Sequence, residues 1–455
     1  MERAARTVDV AALIDDRRLT AFNYVLIALS WLITVFDGLD MMMVSFTAPY
    51  MRDDLHLTKT MLGNIFASGT AGMVAGGLIF SYVGDRIGRK PTVIATAFAF
   101  GILTIVTALA RTYPQLLALR FLDGLAIGGM LPLAWALNIE FVPKRMRSTV
   151  VAVIMMGYSL GSAIAAPLTN LIAPAHGWQG VYVVGGIGTL VCAAALAVGL
   201  PESVRFLVSR NLKPELIVRL LWRIEPSADV IPGDRFILGD EVAARQNFHV
   251  RDLFAGRLAI ITPLLWLGYW ASSLTIYFNS NWGPSVLEEL AIPRATAALI
   301  SSTGGLLGAF GGMAMMRIND RYGLGPVVLV PALAVPVLAL VGLGLVAPAL
   351  FLPMVVLQGL LIGAEHSSII AISGTFYPSA IRASGGGWVA SVGKIGGVMG
   401  PVIGAAVLSS GLPILRSYAL LAICPAILCG CLAGIALATR RRVRAMPMPD
   451  VVPAS

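Results

Sequence analysis

Apolar residues run along this chain in long blocks, not in the one-faced stripe of a surface helix. A helix needs about 20 apolar residues to cross a bilayer. Twelve blocks reach that length, at about 22–50, 60–83, 91–110, 114–141, 148–173, 178–200, 258–283, 295–318, 325–347, 350–377, 383–410 and 413–439. Each predicts a membrane-spanning helix. The longest polar interval, 201–257, holds nine Lys/Arg and eight Asp/Glu and divides the blocks six and six. The expected organisation is a tail over 1–21, a six-helix half over 22–200, a central loop over 201–257, a second six-helix half over 258–439 and a tail over 440–455. The fold class is an all-α membrane protein. The first block is too long for a signal-peptide core and lacks a small-residue cleavage site, so the N-terminus is expected to be retained.

The six-plus-six layout is accompanied by an internal repeat at an offset of 235 residues. Asp85-Arg86-Ile87-Gly88 recurs as Asp320-Arg321-Tyr322-Gly323, after the second span of each half. Phe141-Val142-Pro143 with Arg147 recurs as Phe376-Tyr377-Pro378 with Arg382, after the fourth. Gly124, Gly128, Gly161 and Trp31 map onto Gly359, Gly363, Gly396 and Trp266. The chain therefore reads as two pseudo-symmetric halves in parallel repeat. That is the layout of major facilitator transporters, whose solute site lies between the halves at mid-membrane.

Composition agrees. Hydrophobic residues make up 57% and charged residues 13%, against about 25% charged in a soluble domain. This excludes a soluble enzyme, a disordered chain and a disulfide scaffold. Cys192, Cys424, Cys429 and Cys431 lie in apolar runs without metal-ligand spacing and read as packing residues. The net charge of +9 is a topology signal. Of 33 Lys/Arg, the tails, the central loop and the loops after even-numbered spans collect 26, the opposite loops five, and two lie inside spans. The basic side is cytoplasmic and both termini lie there. Nucleic acid is not an expected partner.

Ionisable residues inside spans are costly and face a cavity or a partner. They are Asp37 and Asp40 in the first span, Arg120, Asp123 and Glu140 in the fourth, Glu365 and His366 in the tenth, and Lys394 in the eleventh. Asp37 and Asp40 are three apart, on one helical face, as are Arg120 and Asp123. At 1.5 Å per residue the two pairs reach similar depth. Burial disfavours a charged carboxylate and a nearby arginine favours it. A carboxylate between those pulls can load and release a proton; the alternative is a static network with Arg120 that holds helices together. Lys394 is placed to be the counter-ion of an anionic solute, or to bridge to Glu365. His366 can relay protons or sit neutral and hydrogen-bonded. Phe36, Tyr158, Tyr277 and Trp388 lie near these depths and are candidates for stacking on a solute ring, although Trp and Tyr also form interfacial belts.

Gly84-Asp85-Arg86-Ile87-Gly88-Arg89-Lys90 closely resembles the signature loop of the major facilitator superfamily. Its glycines permit a tight turn, and Asp85 can cap a helix or pair with an arginine such as Arg147. With Glu140, Arg147 and Arg382, and with Asp320 and Arg321 of the degenerate second copy, these residues would latch the cytoplasmic gate.

Three further patterns narrow the resemblance. Asp37-Gly38-Leu39-Asp40 is similar to the Asp-Gly-x-Asp motif of the aromatic acid:proton symporters. Trp282-Gly283-Pro284 resembles their Trp-Leu-Pro. Tyr377-Pro378 through Arg382, Gly387-Trp388 and Gly393-Lys394-Ile395-Gly396 resembles their tenth and eleventh spans, with Lys394 where arginine is frequent. The resemblance implies import of small aromatic acids such as hydroxybenzoates across a bacterial inner membrane by alternating access. Proton coupling would run through Asp37 and Asp40, assisted by Glu365 and His366, and Arg120 and Lys394 would hold the anion. It implies no catalysed reaction, no metal and no cofactor beyond the coupling proton, and a monomer in the bilayer. Pro201-Glu202-Ser203-Val204-Arg205 resembles a segment of sugar porters, so a sugar, polyol or other organic-anion porter is the alternative. Against it, the seventh span lacks the paired glutamines that bind sugar hydroxyls.

Overall fold

A computed structural model describes residues 6–15, 17–239, 249–373, 375–378 and 381–440. Among them, eleven helical segments are long and apolar enough to cross a membrane. In chain order, the helices of the first half are α1 (Val10–Asp15), α2 (Ala21–Leu55), α3 (Lys59–Ile87), α4 (Arg89–Thr107), α5 (Tyr113–Glu140) and α6 (Arg147–Gly199). Helix α6 holds the two predicted spans at 148–173 and 178–200. The residues between them are too few for a loop, and Gly177, at φ 66° and ψ 179°, supplies the break. Counting α6 twice gives twelve spans.

Short helices α7 (Val204–Ser209) and α8 (Pro214–Ile224) follow, then α9 (Leu258–Glu289), α10 (Arg294–Tyr322), α11 (Leu324–Gly342), α12 (Pro348–Ser373), α13 (Arg382–Ser409), α14 (Arg416–Leu421) and α15 (Ile423–Arg440). The last predicted span is thus two helices that meet at Ala422.

Contacts divide the chain into two units along a line that the repeat does not mark. One unit contains Met1–Gln246 and Ser280–Leu306, the other Asn247–Asn279 and Leu307–Ser455. The ends of α9 and α10 that meet at residue 290 therefore belong to the first unit. Trp282, 1% exposed, sets its ring edge-on to Phe66 at 5.4 Å. Arg52 reaches Glu288 at 3.3 Å and Lys59 reaches Glu289 at 2.8 Å. Arg294 bonds Glu288 at 2.9 Å and also pairs with Asp53.

The tail and the central segment have more structure than their polarity predicts. Strand β1 (Thr7–Asp9) pairs in parallel with β2 (Arg235–Ile237), Val8 opposite Phe236. Val10 and Ile14 of α1 are buried in one apolar cluster with Leu207, Ile217 and Leu221 of α7 and α8 and with Leu196 of α6. Arg6–Asp229 at 3.1 Å and Arg17–Glu225 at 2.8 Å close the join.

Inside the first unit, close helix approach sets the register of the polar residues. A Cβ at Gly38 would overlap the carbonyl oxygen of Tyr158, so α2 lies directly against α6. Gly124 does the same for α5 against Gly69 of α3. Gly38 lies between Asp37 and Asp40, and Gly124 follows Asp123. The charged residues are held by backbone contacts.

Candidate functional site

Asp40, Arg120 and Asp123 come together in the first unit. All three are buried, at 1%, 2% and 0% exposure. Arg120 donates from Nη1 to Asp40 Oδ1 at 3.1 Å and from Nη2 to Asp40 Oδ2 at 2.9 Å, a two-pronged grip. Nη1 also donates to Asp123 Oδ2 at 2.8 Å. Thr104 Oγ1 on α4 donates to Asp123 Oδ1 at 3.3 Å. The helical spacing that aligned Asp37 with Asp40 and Arg120 with Asp123 is thus realised, and the expected network exists.

Asp37 is treated differently from Asp40. It is wholly buried, and neither of its carboxylate oxygens has a hydrogen-bond partner among the described residues. A bare carboxylate in that setting would be very costly, whereas the protonated acid is tolerable. One aspartate of the pair is clamped by Arg120; the other is without a hydrogen-bond partner among the described residues.

The second unit carries a separate set. Glu365 is 1% exposed, and both its oxygens lack hydrogen-bond partners among the described residues. It forms no bridge with Lys394, which is exposed and has no ion-pair partner among the described residues. Ser272 Oγ lies 3.0 Å from His366 Nδ1, and the ring of Tyr269 stacks on the imidazole at 5.4 Å. Trp388, 39% exposed, stacks on Trp266 with ring centres 5.9 Å apart. Tyr277 packs against Gly397 and Gly400.

Two of the aromatic candidates lie where α2 meets α6. Phe36 lies against Gly188 within the apolar cluster of Leu39 and Phe46. Tyr158 meets Gly38 through its backbone.

The loop network is rearranged relative to expectation. Asp85 does not cap a helix: its side chain is 72% exposed and only approaches Arg89, at 4.0 Å. Glu202 does that work. Its Oε1 accepts from the backbone amides of Arg89 and Lys90 at 3.0 and 3.2 Å, closing the N-terminus of α4. Gly88 has φ 111°, and a Cβ there would strike the Glu202 carboxylate. Glu140 pairs with Arg89 and accepts from Ser203 Oγ at 2.5 Å. Arg147 pairs with Asp15 at 3.8 Å and donates to the Val142 carbonyl, so it does not meet Asp85. Gly84 packs on Leu133, and Arg86 stacks on Tyr82 at 4.5 Å. In the second copy, Arg321 stacks on Tyr322 and Arg382 donates to the Tyr377 carbonyl at 3.4 Å. Neither forms a salt bridge among the described residues, and the side chain of Asp320 lies outside them. Neither Glu202 nor Asp15 stands out in the sequence as a site residue; the segment Pro201-Glu202-Ser203 is the available signal for the first, and nothing local marks the second.

Residues 30–260 and 265–449 match the family model of the Major Facilitator Superfamily. The chain belongs to this superfamily. It is a multi-pass membrane transporter and not an enzyme. This facilitator is similar to the 4-hydroxybenzoate transporter PcaK of Pseudomonas aeruginosa, with 33% identity over 90% of this chain and 91% of that one. It is also similar to the gallate transporter of Pseudomonas putida, with 31% identity over 91% and 92%. In fold it is similar to the xylose transporter XylE from E. coli, at 14% identity and a TM-score of 0.68 over 94% of this chain and all of that one. The resemblance to aromatic-acid carriers, drawn above from short motifs, thus extends over most of the facilitator.

Proposed function

We propose that this facilitator imports small aromatic carboxylates with protons across a bacterial inner membrane, with both termini in the cytoplasm. The observation that carries the reading is the unequal pair in α2. Asp40 is closed against Arg120, while Asp37, three residues away, is buried without a hydrogen-bond partner among the described residues. A proton taken from outside neutralises Asp37, travels with it through alternating access and is released to the cytoplasm. Lys394, a cation without an ion-pair partner among the described residues, is the first anchor for the carboxylate, and Trp388, stacked on Trp266, lies on the same helix to receive the ring. Only the coupling proton accompanies the solute. The relatives' printed substrates, 4-hydroxybenzoate and gallate, support the aromatic class.

The segment shared with sugar porters supports no competing solute, because Glu202 is engaged in capping α4. The test is uptake of labelled 4-hydroxybenzoate into vesicles with an imposed inward proton gradient. Uptake that collapses with a protonophore, and competition by gallate and benzoate but not xylose, is the expected result. Uptake indifferent to the gradient, or absent for all three acids, overturns the reading.

A further inference from the structure

The Asp40–Arg120–Asp123 group holds two carboxylates on one guanidinium. Both acids are bonded to one and the same nitrogen, Arg120 Nη1. Asp40 takes both terminal nitrogens of Arg120. Asp123 takes one of those nitrogens on Oδ2 and the Thr104 hydroxyl on Oδ1. The sum of formal charges is one positive and two negative, buried at 2% exposure or less. A buried uncompensated charge is far more costly than a surface one. The other titratable groups beside it are Asp37 on α2 and Tyr182 on α6, neither of which supplies a positive charge.

We infer that Asp123 is a second proton-holding acid of the site: it shares Arg120 with Asp40, and the shared group must take up one proton before an aromatic carboxylate can be bound. The proton comes from the outer solution, sits on one of the two carboxylates facing Arg120 Nη1, and leaves to the cytoplasm after the anion. No bond other than O–H forms or breaks. With the proton in place the group is neutral and no longer repels an anion; without it, the site carries a net negative charge. Asp123 thereby imposes an order, proton first and acid second. The inference rests on the aromatic-acid reading and adds an acid to it beyond Asp37.

The test is a proton count by linkage. For a binding step that takes up protons, the slope of log affinity against pH equals the number taken up. Benzoate is the probe, because its carboxyl stays ionised between about pH 6 and 9. Affinity is measured on the purified full-length protein across that range. In the wild type, affinity should fall as pH rises. In Asp123→Asn, which keeps an oxygen for Arg120 and turns its NH2 donor toward the Thr104 hydroxyl, the slope should drop by about one proton. Asp123→Glu should restore it. Thr104→Val, which loosens the same contact without altering charge, should leave it as in the wild type. Asp123→Ser provides a second neutral variant should the asparagine form not fold.

Equal slopes in wild type and neutral variant overturn the inference, as does a pH-independent wild type. Both results leave aromatic-acid binding intact. A wild type that binds no benzoate at any pH removes the aromatic-acid reading, and this inference falls with it.

Discussion

Arg120 grips Asp40 through two near-parallel bonds of 3.1 and 2.9 Å, wholly inside one bundle of helices. The pair is an internal fixture of that bundle. Asp37, three residues away, has no hydrogen-bond partner among the described residues.

Asp37→Asn should therefore fold as the wild type does, since no hydrogen bond is lost. It should abolish gradient-driven accumulation while sparing exchange of labelled for unlabelled acid. Asp40→Asn should behave otherwise. Removing one partner of a buried ion pair costs about 3–5 kcal/mol, and Asp123 offsets part of that by keeping its bond to Nη1. Thermal unfolding of the two variants, read beside uptake and exchange, separates the roles.

Lys394 is exposed and unbridged among the described residues, so its replacement should leave stability alone. A hydrogen bond to a charged group contributes about 1.5–3 kcal/mol. Lys394→Gln should accordingly raise the half-saturating concentration of 4-hydroxybenzoate by about tenfold or more. Lys394→Arg should stay near the wild type. Saturation curves of uptake provide the check, and an unchanged glutamine variant would remove Lys394 from the substrate site.

Glu202 closes two backbone amides at the start of α4. Loss of such a cap costs about 1 kcal/mol, so Glu202→Ala should lower the melting temperature by a few degrees. Glu202→Gln keeps a carbonyl oxygen in place and should lose less. Gly88→Ala should be worse than either, because it combines a positive φ with a clash against the Glu202 carboxylate. Scanning fluorimetry in detergent ranks the three.

Asp15 anchors the tail to Lys144 and Arg147. Burial pushes its carboxyl up, but the hydrogen bonds from Lys144 and the charges of Lys144 and Arg147 outweigh it and leave the group below its ordinary 3.8. The stabilisation is fully present above that ordinary value and is lost as pH falls through the lower one in the folded protein. Limited proteolysis of the tail should thus accelerate in strong acid in the wild type. Asp15→Asn should be cut faster at neutral pH and show little further change on acidification.

Much of this was legible in the chain. Spans follow from block length, because lipid leaves the backbone little choice but helix. Asp37, Asp40 and Arg120 stand out because charge is scarce inside spans, and three-residue spacing places them on common faces. What escaped has a common cause: pairing between residues far apart in sequence. Three residues of β1 meet three of β2 some 228 positions later, and nothing in either triplet specifies the other. Glu202 reaches Arg89 across 113 positions, and Asp15 reaches Lys144 across 129. Asp85 pairs with the nearby Arg89 and not with Arg147, and the cap on α4 comes from Glu202, far along the chain. The two spans within α6 part at Gly177, whose backbone angles hydropathy does not report.

The repeat invites the construction of hybrids in which the second half is exchanged with that of a relative, cut at the central loop. Such a cut would separate Glu288, Glu289 and Arg294 from Arg52, Asp53 and Lys59, which they meet within one unit. Those six charges form a matched set spread over two exchangeable pieces. A donor half would have to carry its own partners for them, or the recipient would have to be recoded at 52, 53 and 59. The practical module of this protein is therefore the half together with the charges that answer it from across the chain.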